Sequence, residues 1–246
     1  MKQTRALMGM PITTEIVDAH VTEELFDRVY DYFKHVDETF STYKSTSEIT
    51  AINEGRLNLA DASEEMKLIF MLSDETKHAT NGFFDIQTPN GTYDPSGLVK
   101  GWSIWNAAHI ILQNGCKNFY VDAGGDVQTH GMNAAGEPWT VGIKNPWNEA
   151  EHIKIIKVGD EGVATSGIYI RGLHIYDPHT KKPIEDLVSL TVVGPNVYEA
   201  DRFATAAFAM GHNAIHFIES LPGFEGYAIT KDKIATMTSG FEKYIV

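Results

Sequence analysis

"NFYVDAGGDVQTHG", residues 118–131, reads as two short alternating runs folded back at Ala123-Gly124-Gly125, the pattern of a β-hairpin. Strand-like runs punctuated by Gly and Pro dominate from here on: "PWTVGIKNP" (138–146), "HIKIIKVG" (152–159), "GVATSG" (162–167), "LHIYDP" (173–178) and "LVSLTVVG" (187–194). Upstream the period changes. "MPITTEIVDAHV" (10–21) partly alternates as a half-buried strand does, and "TEELFDRVYDYFKHVDETFS" (22–41) then carries Leu25, Phe26, Val29, Tyr32, Phe33, Val36 and Phe40 at helical spacing. Thr22 suits the N-cap of that helix, with Glu23 and Glu24 favourable in its first turn. "ASEEMKLIFMLSDETKHAT" (62–80) and the second half of "PNGTYDPSGLVKGWSIWNAAHIILQNG" (89–115) give further helices, each stopped at Asn-Gly. Helix returns at "EADRFATAAFAMG" (199–211). Helices grouped early, strands grouped late and one more helix near the end favour an α+β fold with mainly antiparallel sheets flanked by helices over a regular βαβ repeat.

Composition excludes several function classes. The 246 residues suffice for one large domain or two interleaved lobes, and 43% hydrophobic with 22% charged residues is ordinary for a globular chain. A net charge of −13 argues against a nucleic-acid partner, which needs clustered Lys and Arg. No apolar run is long enough for a transmembrane helix, so no membrane segment is expected. Cys116 is the single cysteine, which rules out an intrachain disulfide and a multi-cysteine zinc site. The first twenty residues show neither a signal-peptide apolar region nor a lipid-acceptor cysteine, so a cytoplasmic location is the expectation.

Chemistry-bearing residues stand out against this background. Neither a G-x-G-x-x-G fingerprint nor a P-loop is present. Asp201 and Thr205 stand four residues apart in a helix of small residues, so a carboxylate and a hydroxyl share one face, a pairing that suits a hard cation such as Mg²⁺. The same pair also suits a structural role, with Asp201 near the positive helix end and Thr205 bonded back to a carbonyl. "DPSGLVKGW" (94–102) sets Asp94, Gly97 and Lys100 at a helix entry, where free N–H groups and a lysine favour an anion and the acid can hold a polar group of a ligand. The turns at Gly124-Gly125-Asp126 and Ser166-Gly167 allow close approach of a ligand and equally serve the strands themselves. Tyr43 and the doublet Phe83-Phe84 before Asp85 are able to stack on a planar ring or to fill core, and His174, three residues before Asp177, is a proton-transfer candidate or a packed histidine.

Taken in order, "MGMPITTEI", "VDETFSTYKSTSEITAINEG", "NGFFDI", "DPSGLVKGW", "DAGGDVQTHG", "VATSGIYIRG", "HIYDPHTKKPI", "LTVVGP" and "EADRFATAAFAMG" resemble the FAD:protein FMN transferase (ApbE-like) family nearly end to end. The resemblance implies a single ApbE-like domain over residues 1–246 and a Mg²⁺-dependent enzyme. Such an enzyme takes FAD as substrate, transfers FMN to a Thr or Ser hydroxyl of an acceptor flavoprotein, and releases AMP. It implies a metal on Asp201, Thr205 and the Gly97 carbonyl, with Asp201 and His174 in the catalytic role. It also implies a flavin site lined by Met8, Tyr43, Phe83, Phe84, Asp85, Asp94, Lys100 and Ile175, with Gly124, Gly125, Asp126, Ser166 and Gly167 nearby. Two alternatives keep the same site: hydrolysis of FAD to FMN and AMP, and FAD binding without catalysis. The sequence departs from many relatives in a short stretch between Asp85 and Asp94, and Ala204 stands where some carry a further Asp.

Overall fold

The computed structural model describes residues 1–168 and 175–246. The chain opens with β1 (Lys2–Leu7) and β2 (Met10–Ile16), followed by α1 (Glu23–Phe40), α2 (Glu48–Asn53), α3 (Glu64–Ala79) and α4 (Ser96–Gln113). Strands follow: β3 (Phe119–Ala123), β4 (Asp126–His130), β5 (Trp139–Asn145), β6 (Asn148–Val158), β7 (Gly162–Gly167), β8 (Tyr176–Asp177), β9 (Lys182–Pro183) and β10 (Leu187–Gly194). Then come α5 (Val197–Ala209), α6 (Ala214–Glu219), β11 (Glu225–Thr230) and β12 (Ala235–Met237). This is the α+β arrangement expected from the sequence, and every pair of named strands is antiparallel.

Local chemistry sets the helix starts. Thr22 caps α1 by accepting from the Leu25 N–H at 3.4 Å, and Ser63 caps α3 through the Met66 N–H at 3.2 Å. Asn196 takes the Glu199 N–H at 2.9 Å, so α5 begins at Val197, two residues ahead of the expected Glu199. β1 has no counterpart in the sequence reading. It is an edge strand whose positions alternate between exposed and half-buried, with Lys2 and Arg5 among them, and such charged edges blur the apolar alternation while protecting against edge pairing.

The main sheet has the order β1-β2-β3-β4-β7-β10-β11-β12. Its two faces bury different partners, as the two-residue period of a strand requires. Ala164, Leu190, Val192 and Ala228 pack with Ala200, Ala204, Ala207 and Phe208 of α5. The alternate residues Val163, Val193, Tyr227 and Ile229 pack with Trp139, Ile143 and Ile156 of the β5–β6 ribbon. Toward the other end of the helical face, Ile12, Phe119 and Val121 meet Phe26 and Phe33 of α1 and Ile104 and Ile111 of α4. α3 adds a further layer, with Met66 and Ile69 packed among Phe40, Leu98 and Trp102. α4 and α5 therefore share the helical face of the sheet, above β3, β4 and β7. Among the described residues no helix is long and apolar enough to cross a membrane.

Candidate functional site

Two glycines decide how closely α4 and α5 approach. A Cβ at Gly101 would stand 2.6 Å from Asp201 Cβ and 2.7 Å from the Val197 carbonyl oxygen, and one at Gly97 would stand 3.0 Å from Thr205 Cγ2. Any larger residue at Gly101 would force the helices apart. The close crossing lets the Gly101 N–H donate to Asp201 Oδ2 at 2.8 Å and Thr205 Oγ1 donate to the Gly97 carbonyl at 3.3 Å. The i, i+4 pair on α5 thus lies against an i, i+4 glycine pair on α4.

β4 supplies the third element. Asp126 is 1% exposed; its Oδ1 accepts from the Thr165 N–H at 3.0 Å, and its Oδ2 lies 2.7 Å from Lys100 Nζ. The Lys100 contact is a charge pair outside hydrogen-bond angles, which leaves Asp126 Oδ2 a buried acceptor with unmet capacity. Lys100 Nζ is also 3.6 Å from Asp201 Oδ1, so one ammonium stands between two buried carboxylates. Burial pushes the Asp201 carboxyl up to about 7, and the neighbouring Asp126 charge pushes the same way against Lys100 and the Gly101 N–H. Carboxylate, hydroxyl and carbonyl oxygens gathered at one crossing are the hard donors that Mg²⁺ or Ca²⁺ accepts, so these residues fit a hard cation. Among the described residues no three His, Cys, Asp or Glu side chains group as a metal site, so a cation here depends on the hydroxyl and carbonyl as well.

The other sequence-derived residues spread outward from this crossing. Phe84 is buried against Gly97, whose Cβ position lies 3.4 Å from Phe84 Cε2. Phe83 meets the His179 ring edge-on at 4.7 Å. Asp85 pairs with Lys77 at 2.7 Å, and exposed Asp94 accepts from the Ser96 N–H at 3.0 Å where α4 begins. Burial raises the Tyr176 phenol, as do the charges of Asp85 and Asp94, which places both acids in its neighbourhood. Asp85 lines two depressions: one of about 440 Å³ against Phe70, Met71, Lys77 and Tyr93, and one of about 310 Å³ against Thr88, Tyr176 and Lys181. Met8, at φ 53°, turns between β1 and β2 and packs on the helical cores. Tyr43 is 96% exposed, leaving its ring open to solvent. Gly124 and Gly125 turn the hairpin with φ of 64° and 101°; Ser166 and Gly167 end β7 opposite Leu190 and Ser189. Ile175 packs on the α5–α6 core, and His174 lies outside the described residues.

Four residues with parts in this arrangement escaped the sequence reading. Gly101 completes a G-x-x-x-G pair with Gly97 that was visible in "DPSGLVKGW". His179 and Lys181 stand in the same "HIYDPHTKKPI" run as His174. Gln128 had no signal: its Oε1 accepts from the Val197 N–H at 2.8 Å and so ties β4 to the first turn of α5.

Fold and site together define an α+β protein in which a tight helix pair holds an oxygen-rich, lysine-bearing cluster over an antiparallel sheet. The sequence profile of the ApbE family matches residues 8–92 and 87–228, and the chain belongs to that family. The FAD:protein FMN transferase of Escherichia coli strain K12 is 31% identical over 171 residues, 64% of this chain and 49% of the relative. That of Salmonella typhimurium is 30% identical over 164 residues, 63% of this chain and 47% of the relative. The chain spans about half the length of these curated relatives. Among solved structures, the flavin transferase ApbE from Vibrio cholerae superposes with a TM-score of 0.86 at 21% identity, covering 99% of this chain and 98% of that one. The ApbE protein from Thermotoga maritima gives a TM-score of 0.88 at 19% identity, covering 98% of each chain. At these identities the structures speak for the fold.

Proposed function

We propose that this chain transfers FMN from FAD to a Thr or Ser hydroxyl of an acceptor protein and releases AMP, with Mg²⁺ held by Asp201, Thr205 and the Gly97 carbonyl. In this reaction the acceptor oxygen attacks the FMN phosphorus, the bond to the bridging oxygen breaks, the hydroxyl proton departs, and AMP leaves with that oxygen. When bound, Mg²⁺ supplies neutralisation of the pyrophosphate charge. Lys100 offers a second positive charge to the same oxygens from a side chain 25% exposed. Asp126 and the Gly101 N–H hold Lys100 and Asp201 in place. The exposed Tyr43 ring and the Phe83 ring are the flat surfaces offered to the flavin or adenine. His174, which opens the H-x-x-D-P run, is the residue assigned to assist transfer to the acceptor hydroxyl.

The observation that carries this reading is the α4–α5 crossing, where Gly97, Lys100, Asp201 and Thr205 converge inside the part of the chain that the family profile matches. Incubation with FAD, Mg²⁺ and a Thr-containing acceptor, followed by intact mass measurement, tests it. The expected product is acceptor heavier by FMN less one water, with one AMP for each adduct. Unmodified acceptor beside FMN and AMP would replace transfer with hydrolysis, and intact FAD would remove catalysis altogether.

A further inference from the structure

β4 turns two polar side chains toward the helices, Asp126 and Gln128, which share one side of the strand because they stand two residues apart. Asp126 neighbours Asp201 at the α4–α5 crossing. Gln128, 2% exposed, reaches the start of the same helix, where its Oε1 accepts from the Val197 N–H at 2.8 Å. Its Nε2 donates to the Thr129 carbonyl at 2.9 Å and to the Asp160 carbonyl at 3.1 Å. The oxygen faces a donor and the nitrogen faces acceptors, so the amide has one orientation.

The spacing of these contacts matches. Two strand residues span about 6.6 Å, and four helical residues rise about 6 Å. Val197 and Asp201 on α5 thus meet Gln128 and Asp126 on β4. Backbone packs directly on backbone here: a Cβ at Gly162, which faces Gln128 across the β4–β7 pair, would stand 1.9 Å from the Val197 nitrogen. The Asn196 cap is different in kind. Its bond to the Glu199 N–H lies inside the first turn of α5 and stabilises the helix without tying it to the sheet.

We propose that Gln128 is a positioning residue: its amide holds α5 at one station along β4 and so sets where Asp201 and Thr205 meet the Gly101 N–H and the Gly97 carbonyl. It acts through Val197, one helical turn ahead of Asp201. This rests on the cation role given to these oxygens above and not on FMN transfer. Mg²⁺ takes its oxygens at about 2.0–2.1 Å in near-octahedral geometry, so a small slide of α5 presents a poorer site. Without the Gln128 oxygen the Val197 N–H is a buried donor lacking its partner, which the helix relieves by moving.

Gln128→Met keeps the side-chain length and removes both ends of the amide, whereas Asn196→Ala removes the cap within α5. Both should lower the thermal midpoint. Two readouts taken well below that midpoint separate placement from stability: magnesium affinity by calorimetry, and the Gly101 amide signal in a nitrogen–proton NMR spectrum. Gln128→Met should weaken magnesium by roughly tenfold or more and move the Gly101 amide proton upfield as its bond to Asp201 lengthens. Asn196→Ala should leave both readouts at the parent's values. Parental affinity or an unmoved Gly101 signal in Gln128→Met overturns the proposal, as does an equal change in Asn196→Ala. No magnesium binding by the parent removes the cation role of Asp201, and this proposal with it. Should Gln128→Met not fold, Gln128→Asn decides: it keeps the amide but falls one methylene short of Val197, so it should also weaken magnesium, and parental affinity overturns the proposal.

Discussion

Replacing Gly101 by Ala inserts one methyl group at the α4–α5 crossing, at 2.6 Å from Asp201 Cβ, 2.7 Å from the Val197 carbonyl oxygen and 3.0 Å from Asp201 Oδ2. Carbon atoms rest at about 3.5–4.0 Å, so the helices must separate locally by roughly 1 Å. Overpacking of this kind costs about 1–3 kcal/mol. The separation also breaks the Gly101 N–H to Asp201 hydrogen bond, a charged-acceptor bond of about 1.5–3 kcal/mol. Against these stands a gain of about 1 kcal/mol, because Ala is the better helix former. The balance is a loss of about 1.5–5 kcal/mol, or roughly 3–20 °C in thermal midpoint for a chain of this size. Gly97→Ala provides the internal comparison: its new methyl meets Thr205 Cγ2 at 3.0 Å, so the helix gain nearly cancels a small repulsion. Scanning calorimetry of both variants reads the difference. A Gly101→Ala protein as stable as the parent, or more stable, would refute the claim that glycine sets the helix approach.

Asn196→Ala removes the side chain that caps α5 and should lower stability by about 1 kcal/mol, read as a shift in the urea midpoint with unchanged slope. Asp18 responds to pH: burial opposes its ionisation, but the Asn118 and Lys117 amides outweigh burial and hold the carboxyl below its ordinary value. A depressed folded value means stability present above the unfolded value of 3.8 and lost as pH falls through the folded one. Asp18→Asn should therefore cost about 1–2 kcal/mol at pH 7 and flatten the acid limb of a stability–pH curve, while an unchanged limb would contradict this. Thr205→Val keeps the side-chain shape and removes the hydroxyl. It should leave the midpoint within about 1–2 kcal/mol of the parent and weaken magnesium by roughly tenfold, measured by calorimetry.

How far the fold was legible depended on where its determinants lie along the chain. α1 and the β3–β4 hairpin were readable because their signals are local: a 3.6-residue apolar repeat in one, two alternating runs around Gly124-Gly125 in the other. β1 was hidden by its charged, half-exposed edge position. β11 is "EGYAIT", whose buried Gly226 and Ala228 give little apolar alternation to read. The site divides in the same way. The Asp201/Thr205 pair follows from spacing within one helix, whereas the partner that gives it meaning, the Gly97/Gly101 face, lies about a hundred residues earlier and meets it only through folding. In the sequence Asp126 belongs to the Gly124-Gly125-Asp126 turn. Its burial, its Thr165 anchor and its contact with Lys100 come from three separate elements, and no local pattern encodes them.

A crystal grown with FAD and Mn²⁺, with diffraction collected at the manganese absorption edge, tests the central claim most directly. The account predicts one strong anomalous peak at the α4–α5 crossing, within ligand distance of Asp201, Thr205 Oγ1 and the Gly97 carbonyl, beside the FAD phosphates. A peak elsewhere, or FAD bound with none at that crossing, would contradict it.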